Sequence, residues 1–230
     1  MRTRLLFWIA APAVLATVAI AGSAVAAPPD KATCTGTITA DAAYDTLAVP
    51  DGATCEVAPG TTVHVNGKVD VGSNARLLIR GNVPANVFGS LSANGNMLLA
   101  GGSRLASGGF LDVGGFLHAE RPAVVDLEGQ RSTFDTVDIG AATAVVLLLA
   151  ISADNNVSIH DSHVGAGVIA LDDSTIGGQL RFVNNAAFSG SICRNTILKN
   201  FICVKNRGNI TVFDNTVEGK SVQPNCQAAS

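Results

Sequence analysis

The chain has 230 residues, a formal net charge of −3, 47% hydrophobic and 14% charged residues, and only one Trp and one Tyr. A sequence this apolar and weakly charged excludes an intrinsically disordered chain, and its mild acidity argues against nucleic-acid binding, which needs a basic surface. The length suits one domain with a real core, and scarce aromatics beside 24 Gly suit thin, repetitive β structure.

Arg2 and Arg4 form a positive start, an apolar run from Leu5 to Ala21 follows, and Ala24-Val25-Ala26 offers a small-x-small cleavage site. This is the pattern of a secretory signal peptide over residues 1–26. The apolar run, about 17 residues interrupted by Pro12, is short for a membrane anchor. No Cys sits at the cleavage point, which disfavours a lipoprotein. The expected mature chain, 27–230, carries a net charge of about −5 once both arginines are lost. No later stretch is long enough to cross a bilayer, so no membrane span is expected after cleavage. The expected location is secreted, extracellular or in the cell envelope.

Cys34-Thr35-Gly36-Thr37-Ile38 and Val49-Pro50-Asp51-Gly52-Ala53-Thr54-Cys55 open the mature chain. Three copies of one pattern follow: Lys68-Val69-Asp70-Val71-Gly72, Ser90-Leu91-Ser92-Ala93-Asn94 and Phe110-Leu111-Asp112-Val113-Gly114. Their offsets are about 22 and about 20 residues, and each alternates small polar with apolar residues before a turn. From Ala144 to Ile151 the run has no polar alternation. If it is a strand, Val146, Leu148 and Ala150, or the opposite parity, need covering by a loop or by self-association of two subunits. Further on, Asp173-Ser174-Thr175-Ile176 recurs as Arg194-Asn195-Thr196-Ile197 and as Asp214-Asn215-Thr216-Val217. Ser174, Asn195 and Asn215 are expected to stack, as are Ile176, Ile197 and Val217, both columns facing the core. Thr175, Thr196 and Thr216 then face outward beside an acid–base–acid column of Asp173, Arg194 and Asp214. His160-Asp161-Ser162-His163-Val164 is a looser copy, displaced by about half a coil.

A period near 20 without helical periodicity predicts an all-β chain wound as one parallel β-helix, with about nine or ten coils of about 20–22 residues. Leucine-rich repeats share the period but need a Leu-x-x-Leu-x-Leu frame, which is absent. A β-sandwich is the alternative, since its strands recur every 8–12 residues. The steady spacing of the copies favours the solenoid, and no domain boundary divides 27–230. On the segments at both ends and the late Cys226, the chain resembles right-handed parallel β-helix proteins of the pectin-lyase-like superfamily. More narrowly, it resembles the small secreted β-helix proteins of actinobacteria, which bring no assigned activity. The resemblance implies the fold and secretion.

Five cysteines lie in the expected mature chain. Cys34 and Cys55 are about one coil apart, as are Cys203 and Cys226, so each pair can close a disulfide that caps one end of the solenoid. Cys193 is then left over as a buried thiol, with Cys193–Cys203 as the competing pairing.

Polysaccharide hydrolases of this superfamily carry an Asn-Thr-Asp motif, an Asp-Asp pair, a Gly-His-Gly motif and an Arg-x-Lys motif. Only the Asp-Asp pair, Asp172-Asp173, is matched. Lyases of the class use Ca²⁺ held by carboxylates and a basic residue. The candidate acids here are Asp154, Asp161, Asp172 and Asp173, with Arg181 or Lys199 as base. Their irregular spacing puts nothing on one face, and the plainer reading is carboxylates capping turn amides. His160 and His163 flank Asp161, and a strand would point them to opposite faces, so no metal or other cofactor is expected. Asn156-Val157-Ser158 and Asn209-Ile210-Thr211 match the glycosylation sequon but read as turn residues. The expectation is a non-enzymatic exported solenoid that binds a glycan or a protein partner. The alternative is a polysaccharide lyase or hydrolase.

Overall fold

The computed structural model describes residues 31–223 and 226–228; the leader expected over 1–26 lies outside them. Alternation decides the local structure. At Thr62–Val65, Arg76–Ile79 and Val157–His160 one parity holds buried Val, Leu or Ile and the other holds residues that reach solvent. Strands this short cannot bury an apolar face alone. Each pairs in parallel with its counterpart about one coil further on. Among the described residues the one antiparallel pairing joins Gly81–Asn82 to Val87–Phe88, and the one helical turn is a 3₁₀ turn at Val83–Ala85.

The result is an all-β parallel solenoid of about nine turns with three ladders. The first ladder runs from Ala42–Tyr44 to Thr216–Val217 and the second from Ala32–Thr33 to Ser221–Val222. The third runs from Thr37–Ile38 to Gln227–Ala228. Phe110–Glu120 and Ser132–Gly140 pass unbroken through the corner between the first two ladders, which fuses them into one 17-stranded sheet. The inward parity of all three ladders forms a single core, with Val157, Leu180 and Phe201 fully buried in successive rungs of the second. Each such side chain contributes roughly 1.5–3 kcal/mol of apolar burial.

Corners need a reversal of backbone twist, and single residues with positive φ supply it. Arg121, Ala141, Asp161, Asn184 and Lys205 do so between the second and third ladders, and Ala150, Asp173, Arg194 and Asp214 between the third and first. Beside each series runs a buried polar column. Ser174, Asn195 and Asn215 stack as expected: Asn195 Oδ1 accepts the Ser174 amide at 2.9 Å, Asn215 Oδ1 accepts that of Asn195 at 3.0 Å, and Asn195 Nδ2 donates to the Leu171 carbonyl at 2.7 Å. Ile176, Ile197 and Val217 share one inward column, and Thr175, Thr196 and Thr216 are exposed. A second column occupies the other corner: Ser162, Asn185 and Asn206 are linked by amide-to-side-chain bonds of 3.0 and 2.9 Å. The displaced copy around Asp161-Ser162 is therefore the same corner motif, one ladder away.

Three expectations need correction. Lys68–Gly72 does not stack on Ser90–Asn94. Val69 pairs with Met97 on the second ladder, whereas Leu91 pairs with Val63 on the first, because the excursion at 81–88 lengthens that coil. The run from Ala144 to Ile151 is not one strand. Val145–Leu149 sends Val146 and Leu148 inward and leaves Val145, Leu147 and Leu149 half-buried outside, while Ala150 is an exposed corner. His160 and His163 are not on opposite faces of a strand, because the corner at Asp161 lies between them.

Cys34 and Cys55 sit as a disulfide pair with Cα atoms 5.3 Å apart, Cys203 and Cys226 form the second pair, and Cys193 is a buried free cysteine.

Candidate functional site

The outward positions of the second ladder line up rung by rung as Leu98, His118, Asp138, Ser158, Arg181 and Ile202. The four in the middle are polar. Rungs lie about 4.8 Å apart, so side chains on neighbouring rungs meet at hydrogen-bonding range. Asp138 is the centre. His118 Nδ1 lies 3.1 Å from its Oδ2, and His160 Nε2 lies 3.2 Å from its Oδ1. His160 Nδ1 is 2.9 Å from Asp161 Oδ2, so the array runs His118–Asp138–His160–Asp161. Both ring nitrogens of His160 face carboxylate oxygens, and only the doubly protonated ring donates to both.

Two local features hold this array. At the positive-φ corner, Asp161 accepts a 2.6 Å hydrogen bond from Asn184 Nδ2, and His163 Nδ1 reaches its backbone carbonyl at 2.8 Å. The Asn184 hydrogen bond, followed by that of His160, holds the Asp161 carboxyl below its ordinary range. Gly140 gives the His160 ring its room. It pairs with Glu120 on one side and His160 on the other, and a Cβ there would lie 2.8 Å from His160 Cε1 and 3.4 Å from Glu120 Oε2.

Two adjoining hollows open above the array and share Asp138, Ser158 and Arg181. The larger, about 460 Å³, extends past His118 to Phe116, a residue 39% exposed, and is edged by Asp135, Asn156 and Gln179. The smaller, about 260 Å³, reaches His160 and Asp161. Arg181 is exposed, and its side chain makes no hydrogen bond or ion pair among the described residues. Asn156 Oδ1 instead accepts the Gln179 amide at 2.8 Å, which fixes that rim. The trough is therefore open and polar, with His118, Asp138 and Asn156 held by hydrogen bonds and one free guanidinium.

Of the residues singled out in the sequence, Asp161 and Arg181 meet in this trough. Asp172 lies outside the third ladder, where it accepts the Ser191 hydroxyl at 2.8 Å and the Cys193 amide at 3.0 Å. Asp173 diverges from it at the corner and takes a two-pronged ion pair from Arg194 at 2.6 and 2.7 Å, which holds its carboxyl below the ordinary range. Asp154 and Lys199 are exposed in the corner between the first and second ladders. The four acids considered for calcium are thus dispersed. Among the described residues, no three His, Cys, Asp or Glu side chains are arranged to hold a metal ion.

Sequence reasoning passed over His118, Asp138 and Glu120. Advancing outward residues by one coil would have found the first two, since His118 and Asp138 are 20 apart. The chain matches no protein-family model, no curated protein and no solved structure.

Proposed function

We propose that the protein is an exported, non-enzymatic β-solenoid that holds a neutral glycan in the trough of the second ladder. The leader-like N-terminus and the two disulfides support export, since such bonds persist in oxidising compartments. The narrower kinship with small secreted right-handed β-helix proteins of the pectin-lyase-like superfamily belongs to this reading. One observation carries it: an open hollow of about 460 Å³ in which a carboxylate, an imidazole, an amide, a hydroxyl and an unpaired guanidinium surround space beside an exposed Phe116. Sugars need such convergent donors and acceptors, with an aromatic face for their C–H surface. Asp135, Asp138 and Asp161 outnumber Arg181 in the lining of the trough, which disfavours polyuronates.

A second reading rests on the His118–Asp138–His160 array. One carboxylate orients two imidazoles, which is an arrangement fit for proton transfer in a glycan-cleaving enzyme. A glycan microarray and a reducing-end assay on the purified protein separate the two. Binding to neutral glycans, weakened about tenfold or more by Arg181→Ala, with no product released, is the expected result. Turnover lost in His118→Ala or His160→Ala would establish the enzyme instead, and the absence of any glycan binding would remove both.

A further inference from the structure

Part of the outer side of the third ladder is apolar where a solenoid surface is usually polar. Leu78, Ala106 and Leu147 lie half-buried in one outward column, with Val124 and Val145 beside them. Asp126 interrupts that column between Ala106 and Leu147. Its Oδ1 is enclosed and has no hydrogen-bond partner among the described residues. Burial, with Glu128 adding to it, raises its pKa, as befits an acid lacking a counter-charge. On the same outward parity, one and two rungs away, Arg104 and Arg76 are exposed and pair with no acid among the described residues.

We infer that this face is a homodimer interface, in which a second copy covers Leu147 and Val145 while the partner's Arg104 reaches Asp126. A second copy is favoured over a foreign protein because the face is its own complement. It carries the apolar stripe, the orphaned acid and the unpaired arginines together, and a two-fold axis brings each acid to the other copy's arginine. Opposite a guanidinium the Asp126 carboxylate, reached through its other oxygen, gains the counter-charge it lacks.

Sedimentation velocity on protein exported through its own leader tests this. The expected result is a dimer for the native sequence at micromolar concentration and dissociation at least about tenfold easier in Leu147→Lys. Asp126→Arg and Arg104→Asp are each expected to be monomeric, and their combination dimeric again. Far-UV circular dichroism verifies that every variant is folded. A native monomer at every concentration, or a dimer indifferent to Leu147→Lys and to both charge reversals, overturns the inference. Glycan binding in the opposite trough does not enter this measurement.

Discussion

Cys193 shows how the coil stack silences a reactive group. Its side chain is buried, and burial together with the neighbouring Asp172 pushes its thiol pKa up to about 12. Thiolate is the reactive species, so almost none exists at neutral pH. The native protein should leave an Ellman reagent unconsumed, and one thiol per chain should appear on unfolding without reductant; rapid labelling of the native state would contradict this placement. Asp173 makes a different statement. Arg194 lowers its folded pKa below the ordinary 3.8. The stability it adds is therefore complete above that value and lost as pH falls through the lower folded one. Asp173→Asn should cost stability at about pH 6 and markedly less at about pH 2, read from denaturation midpoints. A cost independent of pH would mean that the ion pair does not carry it. Both residues were legible as outliers in the sequence, because an odd cysteine and an Asp-Asp pair are visible locally. His118 and Asp138 were not, because no local motif joins them and only the stacking of coils makes them neighbours.

The element that recurs in the later coils is the corner: a positive-φ residue followed by Ser or Asn whose side chain accepts the buried amide of the preceding coil. At Asn195 that side chain satisfies the Ser174 amide, the Leu171 carbonyl and Asn215 at once. Asn195→Ala leaves the buried Ser174 amide and Leu171 carbonyl without that partner and should cost about 3 kcal/mol, whereas Thr196→Ala, one residue on and exposed, should cost under about 0.5 kcal/mol. Equal costs in urea denaturation would contradict the column. Both ends carry a disulfide closing one coil, with sequence separations of 21 and 23, and each should add about 3 kcal/mol in the chain-entropy account. Non-reducing peptide mapping should return Cys34–Cys55 and Cys203–Cys226; a Cys193–Cys203 peptide would overturn the pairing. The Ser174–Asn195–Asn215 column was readable because its coils differ little in length. The early coils were misaligned because Gly81–Asn82 and Val87–Phe88 insert a hairpin that no periodicity announces. The second column escaped because Asn185 and Asn206 follow Asn184 and Lys205, unlike residues that share only their positive φ.

The whole molecule is a stack in which each coil touches chiefly its neighbours, so a surface feature spreads over consecutive rungs of one ladder. The fold class followed from the period because every coil repeats the same inward alternation. The site did not, because outward positions are free to vary and carry no period of their own. Three consecutive outward residues, Asp138, Ser158 and Arg181, join the two hollows. They make the trough a property of stacking rather than of any loop. In the proposed function this trough, and not the Asp172–Asp173 pair, receives the ligand. Backbone chemical-shift mapping with a neutral oligosaccharide selected on the microarray tests it most directly. Perturbed amides around Phe116, His118, Asp138, Ser158 and Arg181 are expected, with the third ladder silent. Shifts centred on Asp172 and Ser191, or none at saturating sugar, would contradict it.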